Sequence, residues 1–123
     1  MDTQDVAQKL CEHMKNQAEM QALDELYAPD AVSVEPMAMP GMDPVSTGVE
    51  AIKAKHEWWN GTMEVHDFNM EGPFVNGDQF SMIFSLDCTD TSNGQRWTGK
   101  EVGLYDVQDG KIVRETFFMT PMG

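Results

Sequence analysis

The chain has 123 residues, 21 of them Asp or Glu against 8 Lys and Arg, for a formal net charge of −13. That length suits one domain with a single core, and an acidic chain with no basic run or stripe argues against nucleic acid and anionic membrane surfaces as partners. No window approaches the roughly 18 apolar residues needed to cross a bilayer, and the start, MDTQDVAQKL, lacks the basic-then-apolar order of a secretory signal, so a cytoplasmic location is expected.

Val6, Ala7, Leu10, Cys11, Met14 and Ala18 recur at helical spacing, predicting a core-facing helix from Thr3 to about Ala18 with Asp2 or Thr3 as cap. A short second helix, about Glu19 to Tyr27, packs Leu23, Leu26 and Tyr27 and is stopped by Pro29 and Asp30. Ala31 to Glu35 alternates as a strand does until Pro36, so Glu35 closes a strand. The following MAMPGMDPVSTG is rich in Met, Pro and Gly and is expected to form an irregular flap with an apolar lining. A carboxylate at a strand end beneath such a flap is set to have its pKa raised.

A third helix is expected after the Ser46-Thr47-Gly48 cap region, ending near Trp59 at Asn60-Gly61. Its inward stripe is Val49, Ile52, His56 and Trp59, which leaves Lys53, Lys55 and Glu57 in solvent. Strands follow: about Met63 to Phe74, a turn at Asn76-Gly77-Asp78, and the alternating Phe80, Met82, Phe84, Leu86 and Cys88. After a turn at Ser92-Asn93-Gly94, the strand from about Arg96 to Val107 puts Trp97, Gly99, Glu101, Gly103, Tyr105 and Val107 on one face. Gln108-Asp109-Gly110 then turns into Lys111 to Met119, with Val113, Glu115, Phe117 and Met119 on one face. Hairpin-linked strands after three helices predict an α+β fold, helices on one face of a mostly antiparallel sheet. Both strand faces carry apolar residues, so the free face is expected to meet a second copy, giving a homodimer through the sheet. Cys11 and Cys88, with no CxxC, are expected to be buried and reduced. Asn60-Gly61-Thr62 fits a glycosylation sequon and is read as a turn.

The order helix, YAPDAVSVEP, loop, TGVEAIKAKHEWW resembles the front half of the cone-shaped superfamily of nuclear transport factor 2, the ketosteroid isomerases and the SnoaL-like polyketide cyclases. GPFVNGDQF followed by GKEVGLYDVQDGKIVRETFF is similar to the SnoaL-like members in particular, so that residues 1–123 read as a single SnoaL-like domain. The resemblance implies a cone-shaped barrel, three N-terminal helices packed on a curved sheet. In the isomerases a carboxylate before a proline, five residues after the Asp-Ala that opens the short strand, moves the proton; Asp30-Ala31 followed by Glu35-Pro36 matches. The isomerases' oxyanion-stabilising tyrosine and protonated aspartate fall at about Cys11 and Gly103, which cannot serve. A tyrosine at the end of the second helix and another on the third are matched by Tyr27 and His56, which could donate hydrogen bonds instead. The resemblance turns Glu101 and Glu115 toward the helices, where either could act as the cyclases' sheet-borne acid or base.

These readings make the chain a small enzyme of cyclase or isomerase type, acting without a cofactor on a small apolar carbonyl compound. Glu35 moves the proton, Tyr27 and His56 orient the substrate, and Glu115 is a second acid or base. Met37, Met39, Met42 and Trp59 close the pocket, and Trp97, Glu101, Tyr105, Phe117 and Met119 line it. A non-catalytic ligand-binding or dimerising module of the same fold is the alternative. No metal is expected: His13, His56 and His66 show no HxH, HxxxH or HExxH spacing.

Overall fold

In the computed structural model, which describes residues 1–37 and 43–119, the side chain of Asp2 accepts from the Asp5 amide while Asp5 reaches back to the Asp2 amide. This capping box starts α1 (Thr3–Lys15). The helix stops at Lys15 rather than near Ala18, because the chain turns at Gln17, whose φ of 55° is left-handed. Helix α2 (Glu19–Leu26) follows. The remaining elements are β1 (Tyr27–Val34), β2 (Val45–Thr47), α3 (Val49–Thr62), β3 (Met63–Asn76), β4 (Gln79–Asp90), β5 (Gln95–Gln108) and β6 (Lys111–Met119). The six strands lie in the order β2-β1-β6-β5-β4-β3, with β1 parallel to β6 and every other pair antiparallel. The molecule is the expected α+β cone, three helices over a curved, mostly antiparallel sheet.

Several boundaries differ from the sequence reading. Tyr27 belongs to β1, which passes through Pro29 and Asp30; the ladder to β6 shifts register between Tyr27 and Val32, where a proline without a donor fits. The flap is not wholly irregular. Val45–Thr47 pairs with Val32 to Val34 and gives the outer edge of β1 its backbone partners, extended by a bond of 2.8 Å from the Glu35 amide to the Pro44 carbonyl. Ser46 and Thr47 therefore lie in a strand, and α3 starts after Gly48 (φ 92°) with no side-chain cap. Helix α3 also runs through Asn60-Gly61 to Thr62. Its last turn is held from outside, since the Thr91 amide and hydroxyl both donate to the Thr62 carbonyl, at 2.9 and 2.7 Å. The sequon thus lies on a helix rather than a turn.

The core fills the cone between the helices and the inner face of the sheet. Val6, Ala7, Leu10 and Cys11 of α1 and Ala22, Leu23 and Leu26 of α2 pack on Phe80, Met82 and Phe84 of β4 and on Tyr105 and Val107 of β5. Both cysteines are buried and unpaired. A register shift opposite Asp106 and Val107 brings Ile112, not Val113, into this core ahead of Glu115 on β6. The turn before it is the tight kind that needs positive φ twice, at Asp109 (51°) and Gly110 (75°). On the outer face Ile83, Val102 and Phe118 are neighbours across β4, β5 and β6, and Val102 and Phe118 are exposed. Helix α3 contributes only Ile52 to the fully buried set, and Lys55, His56 and Trp59 on the same face are half-buried.

Candidate active site

Polar side chains from four segments meet inside the cone beside this face of α3. Tyr27 stands at the start of β1 and Ser33 near its end, with Glu35 just beyond; α3 supplies Lys55, His56 and Trp59, β5 supplies Glu101 and Tyr105, and β6 supplies Glu115 and Phe117. Ser33 and Glu115 are register partners across the parallel β1–β6 pair, and Tyr105 and Glu115 are partners across β5–β6. Since side chains alternate along a strand, these pairings put all three on the inner face together.

The groups form a chain of contacts. The Tyr27 hydroxyl donates to Glu115 Oε2 at 2.6 Å. Ser33, the register partner of Glu115 across the parallel pair, lies on the other side and accepts from Lys55 Nζ. Lys55 in turn donates to Glu35 Oε1 at 2.8 Å, with side chains only 15% and 23% exposed. Lys55 was expected in solvent; instead its ammonium lies inside, 5.4 Å from the centre of the Phe117 ring. The helix explains this, because Lys55 is three residues after Ile52 and therefore on the same face.

Burial shifts Glu115, Glu101, His56, Tyr27 and Tyr105. Burial pushes the Glu115 carboxyl up, against the opposing pull of Lys55, Tyr27 and Ser33. Burial, then the nearby Glu35 charge, push Glu101 up to about 7 from 4.5, with Lys55 opposing. Burial, reinforced by the Lys55 charge, holds the His56 imidazole below the usual 6.5, so it is neutral at neutral pH. Both Tyr27 and Tyr105 are pushed well above the ordinary tyrosine value, first by burial and then by Glu115, and stay protonated.

Not every expected partnership forms. Tyr27 and His56 are not a hydrogen-bonded pair; the Tyr27 hydroxyl is committed to Glu115. Glu35 is not simply beneath an apolar cover but is an ion-pair partner of Lys55. Glu101 is partly buried, and among the described residues its carboxyl makes no hydrogen bond or ion pair. Met119 is its register partner on β6. Trp59 and Trp97 pack edge to face with ring centres 6.1 Å apart, and Phe117 meets Tyr105 the same way at 6.3 Å. Met37 is 56% exposed, while Met39 and Met42 lie outside the described residues. His13 bonds to Glu25 and His66 to Thr89, so neither joins the cluster. An open groove of about 520 Å³ between residues 1–3 and 107–110 shares no residue with it.

Gly103 explains how Tyr105 fits. A β-carbon there would lie 3.0 Å from the Tyr105 ring, 3.1 Å from its hydroxyl and 3.1 Å from Phe84, so glycine lets the tyrosine fold back over its own strand. The Tyr105 hydroxyl and Glu115 Oε1 are buried without a hydrogen-bond partner among the described residues.

Comparison with known proteins agrees with the fold. The family model described as a SnoaL-like domain matches residues 1–119. A crystal structure from Mesorhizobium loti, provisionally assigned as a SnoaL-like polyketide cyclase, is 41% identical over 96% of this chain and 99% of its own, with a TM-score of 0.88. A provisional isomerase from Bacillus subtilis (18% identity, 99% and 91% covered, TM-score 0.78) shares the fold. So does an NTF2-like protein from Burkholderia thailandensis (13%, 98% and 92%, 0.83). No curated protein matches.

Proposed function

We propose that this chain, which belongs to the SnoaL-like domain family, is a cofactor-independent enzyme of cyclase or isomerase type that moves a proton on an apolar carbonyl compound held in the cone beside α3. The observation that carries the reading is Glu101: a partly buried carboxyl, free of protein partners among the described residues, beside two further carboxyls and aromatic walls. A carboxyl pushed to about 7 exchanges its proton readily at neutral pH, which suits abstraction next to a carbonyl. Glu101 then takes the proton-moving role, and Glu35, the base that the resemblance suggests, serves through its ion pair with Lys55. Neutral His56 orients the substrate, the Tyr27–Glu115 pair closes the back of the site with Glu115 as a reserve acid, and Trp59, Trp97, Phe117 and Met119 surround the carbon skeleton. The Mesorhizobium loti relative's provisional assignment as a SnoaL-like polyketide cyclase is in line with the cyclase side of this reading.

The engagement of Glu35 by Lys55 favours one other reading, a ligand-binding module in which no carboxyl is used chemically. Incubating wild type, Glu101→Gln and Glu35→Gln with a panel of apolar ketones in D₂O, and following loss of the α-proton signals by NMR, separates the two. The enzyme reading expects exchange that Glu101→Gln abolishes while ketone binding persists. Exchange no faster than in buffer for every ketone, or undiminished in Glu101→Gln, refutes it.

The same reading includes a homodimer through the outer face of the sheet, supported by the adjoining Ile83, Val102 and Phe118 with Phe74 exposed on β3. Sedimentation should give a dimer for wild type and a monomer for Phe118→Lys. A monomeric wild type at micromolar concentration removes this part.

A further inference from the structure

Proton abstraction beside a carbonyl leaves negative charge on oxygen, and the site must offset it. The hydroxyls are poorly placed to do so. Tyr27 already donates to Glu115, and the Tyr105 hydroxyl is sealed in the core, its side chain 0% exposed. His56 is a neutral donor at most. Lys55 is different. Its ammonium has three donors, of which the described residues engage two, through Ser33 and Glu35, and its side chain keeps 15% of its surface exposed. Contact with the Phe117 ring provides an apolar floor where charge is poorly screened.

We propose that Lys55 is a catalytic residue whose ammonium, positioned by Ser33 and charge-balanced by Glu35, donates a hydrogen bond to the substrate's carbonyl oxygen and stabilises the enolate formed there. The inference rests on the proton-transfer reading above. In the step, the Glu101 carboxylate takes a proton from the carbon beside the carbonyl. The C–H electron pair becomes a C=C bond, the C=O π pair moves onto oxygen, and that oxygen accepts from Lys55, which keeps its proton. Return of the proton from Glu101 to the same or a conjugated carbon restores the carbonyl and the base.

The test uses 2-naphthol, a neutral ring alcohol whose anion imitates an enolate, added to the full chain and read by the absorbance of the naphtholate. Bound to wild type it should ionise about one pH unit lower than in buffer, a tenfold gain in its ionisation constant. Lys55→Gln should remove that shift, Lys55→Arg should keep most of it, and Glu35→Gln, which takes away the competing negative charge, should deepen it. Circular dichroism checks folding, and the arginine and Glu35→Gln proteins decide the matter if Lys55→Gln does not fold. Absence of naphthol binding, no shift in wild type, or the same shift in Lys55→Gln overturns the proposal. A shift that follows Lys55 without any ketone exchange leaves the anion-stabilising role standing and removes the proposed enzymatic function. Ketone exchange that Lys55→Gln leaves intact removes the role and spares that function.

Discussion

Replacing Glu101 by glutamine probes the charge balance of the cone without needing a substrate. In the folded chain burial and Glu35 move this carboxyl from 4.5 up to about 7. Between those values the folded state holds a proton that the unfolded chain has released. Stability from this group is thus fully present below about pH 4.5 and is lost as pH rises through about 7. A shift of that size is worth about 3 kcal/mol at pH 8, at roughly 1.4 kcal/mol per unit, and the partial exposure of the side chain lowers the expectation to about 2. The amide cannot ionise, so Glu101→Gln should gain about 2 kcal/mol on wild type between pH 5 and pH 8. Urea unfolding at a series of pH values and one fixed protein concentration measures this, since the slopes due to Glu115 and His56 are common to both proteins and largely cancel. A difference between the two proteins that stays constant from pH 5 to 8 refutes the reasoning.

In the D₂O exchange assay, a wild-type rate that rises with pH to a plateau with a midpoint near 7 is expected if Glu101 is the base, and a flat profile argues against it. Tyr27→Phe removes the donor to Glu115 Oε2 and should cost about 2 kcal/mol in urea at pH 7, more than a surface change; a loss below about 0.5 kcal/mol would show that the bond is not needed. Gly103→Ala sets a methyl group 3.0 to 3.1 Å from Tyr105 and Phe84, and should cost about 1 to 3 kcal/mol with a changed near-ultraviolet spectrum from the displaced tyrosine; an unaltered spectrum with wild-type stability contradicts the close approach.

The outline of the fold was legible because its signals are local. Alternation through Phe80, Met82 and Phe84, the glycine-bearing turns and the helical spacing of Val6, Leu10 and Cys11 all report on neighbours a few residues away. Edge strand β2 was not legible, since its three residues pair only because β1 needs partners along its edge, and that need is invisible in a stretch rich in Met and Pro. The candidate site was half legible. Glu101 and Glu115 stand on the inner face toward which the resemblance turned them, whereas Tyr27, expected on the second helix, belongs to β1, and its match to Glu115 depends on the parallel register of β1 on β6, which no local pattern encodes. Lys55 was missed because polarity was allowed to outrank geometry: Ile52, Lys55, His56 and Trp59 follow the spacing of a single helix face, and a lysine within it was the available signal. Ser33 was missed as one small polar residue in an alternating strand.

The parallel junction of β1 and β6 also governs when the site comes into being. Ser33 and Glu115 are paired there although one lies in the first third of the chain and the other close to its end. The hairpins from β3 to β6 can zip from their turns, but closing the loop between β1 and β6 orders most of the chain before contact is made. The carboxyl cluster is therefore an attribute of the completed molecule. A folding intermediate holding only the antiparallel hairpins would carry Glu101 and Glu115 without Ser33 or Glu35 beside them, and recovery of ketone exchange after dilution from urea should track the slowest folding phase.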